Sequence, residues 1–266
     1  MSTTALGRLL GRGKEAEIFE YGSKVAKLYA PGGRKEAAFR EAAILASLEG
    51  AGLPVPIVWG VQRIDQRWGL VMDRVSGASF AERMRQDHLT IPACLEDMAQ
   101  LHLRIHACAA VRLGSLTARL VSNIRNAEAL DPSLRTTLLA RLPGMQPSDR
   151  LCHGDFHPMN ILGEPSAPVV IDWLDATSGD PAADVCRSYL LLQVGWPEFA
   201  VAYVDTYCRT TGISRRRVFR WLPFLAASRL TENVPHEVPR LLELCGAGTN
   251  DEWATPGSLP IGSFDR

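Results

Sequence analysis

The sequence predicts an α+β chain in two parts: a small antiparallel-sheet N-lobe carrying one helix, and a larger, mainly helical C-lobe. Three observations carry that expectation. Up to residue 75, short β-prone runs alternate with turn residues around a single helical stretch. After Gly77 the apolar spacing becomes helical. A segment of loops and short strands at 151–174 then interrupts the helices, which resume over 182–247. The expected division is an N-lobe at 1–75 and a C-lobe at 76–266, joined at about residues 72–77.

Each element has a local reason. "LGRLLGRG" and "AEIFEYG" read as two strands, and "YGS" turns the second into "KVAKLYA". "PGG" at 31–33 breaks the pattern. Residues 34–49, RKEAAFREAAILASLE, are rich in Ala, Leu and Glu and free of Gly and Pro, so they form a helix that "GAGLPVP" ends. "IVWGVQRI" and "WGLVMDRV" are strands joined across "DQR" as a hairpin. Residues 78–150 are helical with breaks near Pro92, Pro132 and Pro143, and "LEDMAQLHLRIHACAA" is their clearest amphipathic helix.

Composition excludes several classes. The 266 residues are 46% hydrophobic and 22% charged, ordinary for a globular protein with a real core. A formal net charge of zero gives no electrostatic footprint for a nucleic acid. No apolar run suggests a membrane helix, and the N-terminus lacks the apolar core of a secretory signal. Six cysteines are scattered without a CxxC pair, which reads as reduced thiols of a cytoplasmic protein.

Chemistry concentrates in one segment. Residues 151–186 hold six acids (155, 164, 172, 175, 180, 184) and no Lys or Arg. Clustered carboxylates raise one another's pKa unless a cation compensates, and oxygen donors of this kind suit Mg²⁺. In phosphoryl transfer a loop Asp accepts the proton of the attacking hydroxyl, an Asn five residues on holds one Mg²⁺, and an Asp after a short strand holds the metal on the phosphates. Asp155 and Asn160 have that spacing, and Asp172 follows the apolar "PVVI", which predicts a place at a strand end.

"HGDFHPMN", "IDW" and the downstream "SGDPAADV" resemble the aminoglycoside phosphotransferase and choline kinase-like family, which shares the two-lobed protein-kinase-like fold. The resemblance implies ATP and Mg²⁺ as cofactors and a small-molecule hydroxyl acceptor, while charge and hydropathy give the expectation of no nucleic-acid or membrane partner. It implies that Asp155 is the base, that Asn160 and Asp172 are the metal ligands, and that Asp184 braces the catalytic loop. It implies a lysine on the third strand, and Lys27 shares a strand face with Val25 and Tyr29. Its expected partner is Glu41: at ~100° per residue, Ala37, Leu45 and Leu48 lie within ~40° of it, whereas Glu36 lies ~140° away. A charge in an apolar stripe needs a partner. Gly11 and Gly13 of "GRGKEAEIF" would cover phosphate by close backbone approach. By the same resemblance the backbone of Asp73 and Val75 would hold adenine, with Met72 behind it. His157 would donate to the transferring phosphoryl group or stabilise its loop.

The chain departs from the family pattern at Leu174, where many relatives carry an acid, and Asp175 follows instead. His102 and His106 are i, i+4 on a helix without a neighbouring Glu, which favours structural histidines over a zinc site. Alternatives to a small-molecule kinase are a small atypical protein kinase and a non-catalytic nucleotide-binding protein. Residues 78–150 hold nine Lys or Arg against seven acids, and 196–247 hold seven against five. Neither is an acidic bowl, so the expected acceptor is neutral, monocationic or anionic rather than a polycationic antibiotic.

Overall fold

The computed structural model describes residues 5–13, 15–30, 35–110, 112–146 and 148–246. The break expected at 31–33 and Lys14 of the glycine turn lie outside them. In chain order the strands are β1 (Leu9–Arg12), β2 (Ala16–Tyr21), β3 (Lys24–Tyr29), β4 (Val58–Ile64), β5 (Arg67–Asp73), β6 (Arg150–Cys152), β7 (Ile161–Leu162), β8 (Val169–Val170) and β9 (Thr177–Gly179). The helices are α1 (Lys35–Gly50), α2 (Phe80–Gln86), α3 (Ile91–Ala107), α4 (Leu116–Asn126), α5 (Pro132–Arg141), α6 (Pro181–Gly195), α7 (Pro197–Thr211), α8 (Arg215–Phe219), α9 (Leu222–Arg229) and α10 (Val238–Gly246). The fold is the protein-kinase-like α+β arrangement of an antiparallel-sheet lobe and a helical lobe. No helix among the described residues is long and apolar enough to cross a membrane.

The chain divides into two compact units. The first comprises Met1–Gln86 and Pro158–Leu174. Its five-stranded antiparallel sheet has the order β1-β2-β3-β5-β4. β3 is buried on both faces, which explains its apolar character. Ala26 and Leu28 pack with Ile64 and Val71 on one face, while Lys27 and Tyr29 on the other reach Glu41 of α1. The β4–β5 turn is a two-residue loop with Asp65 and Gln66 both at positive φ, 46° and 64°. Such a turn matches the strands' right-handed twist even without glycine.

The segment 158–174 belongs to this first unit, so the compact units do not follow a cut at residue 75. Gly163 N–H donates to the Ala78 carbonyl at 3.2 Å, and Val170 N–H to the Pro54 carbonyl at 2.8 Å. Arg83 donates to the Gly163 carbonyl at 3.0 Å. These are pairings across some 80 to 115 residues, which no local pattern encodes. Gly77, at φ 100°, leaves no room for a side chain: a Cβ there would lie 3.0 Å from the Cα of Gly163. The strand expected over "VVIDW" is only Val169–Val170. Asp172 lies beyond its end, in the left-handed region at φ 61°.

The second unit comprises Asp87–His157 and Asp175–Arg266. Pro92 and Pro132 do not end helices here but start them, in the first turn where the missing N–H costs nothing. Asp131 and Asp180 cap α5 and α6 by accepting first-turn N–H groups. β6 and β9 pair antiparallel. At the centre, α3, α6 and α7 share a buried polar network. Tyr203 and Tyr207 hydroxyls meet Nδ1 of His102 and His106 at 2.5 and 2.7 Å, and the two Nε2 atoms meet Asp184 Oδ2 at 2.9 and 3.2 Å. Tyrosine donating to Nδ1 and Nε2–H donating to Asp184 satisfies each group with neutral imidazoles. The two histidines are therefore members of a closed hydrogen-bond network, even though their ligand atoms and that of Asp184 lie within 4.8 Å of one another. Burial, and then the neighbouring His106, push His102 down to about 3.

Two outcomes follow. Gly77→Ala should cost ~1–3 kcal/mol in denaturant unfolding, the scale of a forced backbone, and an unchanged midpoint would show that the junction yields. His102 is depressed to about 3 from an ordinary 6.5, so the unfolded chain binds a proton that the fold does not. Its contribution is complete above the unfolded pKa and declines below it, by ~1.4 kcal/mol per pH unit. The slope of unfolding free energy between about pH 6.5 and 4.5 should be shallower in His102→Gln than in the wild-type chain; equal slopes would assign acid sensitivity to other groups.

Candidate active site

The first unit gathers a lysine and two acids. β3 places Lys27 opposite Ile18 of β2 and Leu70 of β5. Its ammonium lies 2.8 Å from Glu41 Oε1 and 2.8 Å from Asp172 Oδ1. Glu41 is 1% exposed, on the face of α1 that buries Ala38, Ile44, Leu45 and Leu48, whereas Glu36 is exposed. Tyr29 hydroxyl also donates to Glu41. Burial alone would push the Lys27 ammonium down; the carboxylates of Glu41 and Asp172 outweigh it and hold its pKa above the ordinary value. Asn160 is buried at the end of a short turn, and its carbonyl accepts from Ile171 N–H at 3.0 Å, which draws the two ends of the β7–β8 hairpin together beside Asp172.

The expected phosphate turn is the β1–β2 connection, where Gly13 N–H donates to the Ala16 carbonyl at 2.8 Å. A Cβ at Gly11 would meet nothing within 4 Å, and one at Gly13 only the Ala16 carbonyl at 3.6 Å. At the expected hinge, Met72 is buried in β5, and Asp73 N–H donates to the Ile57 carbonyl at 2.9 Å. Asp73 Oδ1 accepts from the Trp59 indole at 2.6 Å. Val75 is half-buried.

The second unit holds the loop 153–157. Asp184 fixes its backbone: Oδ2 accepts from His153 N–H at 2.6 Å and Oδ1 from Gly154 N–H at 2.8 Å. Gly154 sits at φ 82°, and a Cβ would lie 2.4 Å from the Asp175 carbonyl, so the middle residue of HGD must be glycine. Asp155 projects next to His157, whose Nε2 is 3.4 Å from Oδ2, and to Arg187 of α6, at 3.8 Å from Oδ1. Burial works against the Asp155 charge, but His157 and Arg187 prevail and hold its carboxyl well below the usual range.

A small cleft, open to solvent, lies against Gly154 between α4, α6 and α9. Arg119 of α4 donates to the Asp175 carbonyl at 2.6 Å and pairs with its carboxylate at 3.2 Å. Arg187 donates through Nε to the Gly154 carbonyl at 3.2 Å and pairs with Glu232 at 2.7 Å. The sequence singled out none of Arg119, Arg187 or Glu232. Arg187 did carry a signal: it lies three residues after Asp184, on the same helical face.

The acids of 151–186 prove to have partners from distant sequence. Asp172 meets Lys27, Glu164 meets Arg83, Asp175 meets Arg119, Asp180 meets Arg217, and Asp155 and Asp184 have the histidines and Arg187 described above. The local absence of Lys and Arg therefore does not by itself require a metal. What favours Mg²⁺ is narrower: an amide and a carboxylate with hard oxygen donors, drawn to the two ends of one hairpin.

A profile of the phosphotransferase enzyme family matches residues 15–219. No curated protein matches. Among solved structures, an aminoglycoside-3'-phosphotransferase of type VIII is 22% identical, with a TM-score of 0.63 over 87% of this chain and 94% of that one. Aminoglycoside phosphotransferase APH(3'')-Id from Streptomyces rimosus is 21% identical, with a TM-score of 0.63 over 86% and 94%. A thermostable mutant of APH(4)-Ia, in a ternary complex with ADP and hygromycin B, is 16% identical, with a TM-score of 0.68 over 93% and 96%. At these identities the structures speak for the fold, while the profile match over most of the chain speaks for descent: the protein belongs to the phosphotransferase enzyme family.

Proposed function

We propose that the protein is an ATP- and Mg²⁺-dependent kinase that transfers the γ-phosphoryl group to a hydroxyl of a small molecule. The observation that carries this reading is the Lys27 ammonium held between Glu41 and Asp172, both at 2.8 Å. A buried lysine fixed by two carboxylates is a poor way to stabilise a fold, because desolvation offsets most of the attraction. It is a good way to fix a cation where phosphate oxygens will arrive. The neighbours' complexes support the nucleotide: structures of relatives hold ADP or AMP-PNP with an aminoglycoside.

In this reading Lys27 orients the triphosphate, and Glu41 and Tyr29 hold Lys27. Gly11 and Gly13 admit close backbone approach, since the chain's own packing leaves room for a Cβ at both. The Asp73 N–H is taken by Ile57, so an adenine contact from Asp73 would use its carbonyl, alongside Val75, with Met72 as the apolar backing. Asn160 and Asp172 would hold Mg²⁺, which when bound offsets charge on the β- and γ-phosphates. Asp155, ionised at neutral pH, aligns the acceptor hydroxyl. As the acceptor oxygen bonds to the γ-phosphorus and the bond from that phosphorus to the β,γ-bridging oxygen breaks, the hydroxyl proton passes to Asp155. His157 holds Asp155 in place. A carboxyl this acidic is a weak base, so most of the rate comes from alignment and charge stabilisation.

Asp155→Asn keeps the shape of the loop and removes the proton acceptor; kcat should fall ~10²–10⁴-fold with nucleotide affinity little changed, and near-normal turnover would remove Asp155 from the chemistry. Lys27→Ala and Glu41→Ala should each weaken productive ATP binding. In a double-mutant cycle on kcat/KM they should couple by ~1–3 kcal/mol, and additivity would separate Glu41 from the phosphate site.

A further inference from the structure

We infer that Glu232 is a positioning residue for Asp155: it holds Arg187 back, so that the guanidinium orients the Asp155 carboxylate without closing on it. The catalytic meaning of this arrangement rests on the kinase reading above. Its geometry stands apart from that reading and lies wholly within the second unit.

Arg187 divides its bonds unequally. Its side chain is 13% exposed. Nε donates to the Gly154 carbonyl at 3.2 Å, and one terminal nitrogen lies 2.7 Å from Glu232 Oε1 but 3.8 Å from Asp155 Oδ1. A guanidinium and a carboxylate that meet without other constraints do so at ~2.7–2.9 Å. The same nitrogen is drawn to Glu232 by the shorter bond, and the Gly154 carbonyl holds the other edge of the group. The other acid whose charge reaches Arg187 is Asp175, which is paired with Arg119 at 3.2 Å.

Glu232 is itself held in place. Its second oxygen, Oε2, accepts from Arg229 at 2.9 Å. Arg229 is 8% exposed and also grips Glu237, through Nε and, at 2.7 Å, through its other terminal nitrogen. Glu237 is buried. Local structure brings both acids to Arg229. A short turn, Leu230–Glu232, ends at Asn233 in the left-handed region at φ 53°, which Asn tolerates, and a second turn, Pro235–Glu237, follows. Alternating charges on Glu237, Arg229, Glu232 and Arg187 thus run from the start of α10 to the loop that carries Asp155.

The order of these charges matters for proton transfer. A guanidinium bonded at short range to Asp155 would occupy a lone pair that the hydroxyl proton needs and would stabilise the carboxylate against accepting it. With its short bond given to Glu232, Arg187 orients Asp155 from a distance. If Glu232 loses its charge, Arg187 loses its nearest counter-ion while Asp155 stays within reach, and the guanidinium closes.

The test uses the full chain with Glu232→Gln, Arg187→Gln and the two combined. Glu232 is a third exposed and glutamine is near-isosteric, so the fold is kept. In a crystal structure of Glu232→Gln, Arg187 should lie ~2.9 Å from Asp155. Phosphate release from ATP with Mg²⁺, with water as the acceptor, should fall ~10–100-fold in kcat with the KM for ATP little changed. Removing Arg187 as well should raise kcat at least ~3-fold above that of Glu232→Gln, and Glu232→Asp, which keeps the charge, should recover most of the rate. A guanidinium that stays at its wild-type distance, or a double variant slower than Glu232→Gln, overturns the inference and leaves the kinase reading standing. A wild-type chain that binds ATP but transfers phosphate to none of water, kanamycin, glucose and choline overturns the kinase reading, and the catalytic role of Glu232 with it.

Discussion

Asp184 is fully buried, and both of its oxygens are occupied: two backbone N–H groups from the loop that carries Asp155, and two imidazoles that are in turn held by tyrosines. Burial favours the neutral carboxyl, yet His102, His106 and the network around them hold the Asp184 pKa well below the usual range. The anion thus sits in a buried polar network, stabilised by donors rather than by a formal cation. This constrains the second unit as a whole. α3, α6 and α7 cannot move independently without leaving a buried charge or imidazole unsatisfied, a cost on the order of several kcal/mol. The shape of the 153–155 peptide is therefore set by the helical core.

The first unit works differently. There the strongest charges converge on Lys27, and one of its carboxylates, that of Asp172, has a side chain 45% exposed. Glu41 is deeply buried and triply constrained by helix packing, Lys27 and Tyr29, so it serves as scaffold. Asp172 is reachable and carried on a left-handed residue beyond a two-residue strand. An acid in that position can exchange partners when a ligand arrives, whereas Glu41 cannot.

Local pattern made a good part of this legible. Alternation and turn residues located the five strands of the sheet and α1 to within a few residues, and the apolar stripe of α1 singled out Glu41 over Glu36. Spacing singled out Asp155, Asn160 and Asp172 as candidates, because phosphoryl-transfer chemistry would fix short separations in the chain. What stayed hidden depends on contacts between distant segments. The attachment of 158–174 to the sheet is made by single backbone hydrogen bonds to residues 54 and 78, which leave no periodicity. The ion pairs of Arg119, Arg187 and Glu232 join helices far apart in sequence, so a count of charges over 151–186 could see the acids but not their partners. Pro92 and Pro132 were visible as punctuation, but whether a proline closes one helix or opens the next depends on the cap before it.

Tyr29 gives the first unit a property of another kind. Its hydroxyl donates to Glu41, whose other oxygen holds Lys27. Burial and the Glu41 charge push its ionisation far above the ordinary phenol range, so it remains a phenol throughout the working range. The electric field across its ring is set mainly by two ions a few ångströms away, and phosphate oxygens that draw on Lys27 would alter that field without touching the ring. The chain therefore carries an intrinsic chromophore hydrogen-bonded to the partner of its lysine, and ultraviolet difference spectra of Tyr29 would report occupancy of the proposed nucleotide site without an added label.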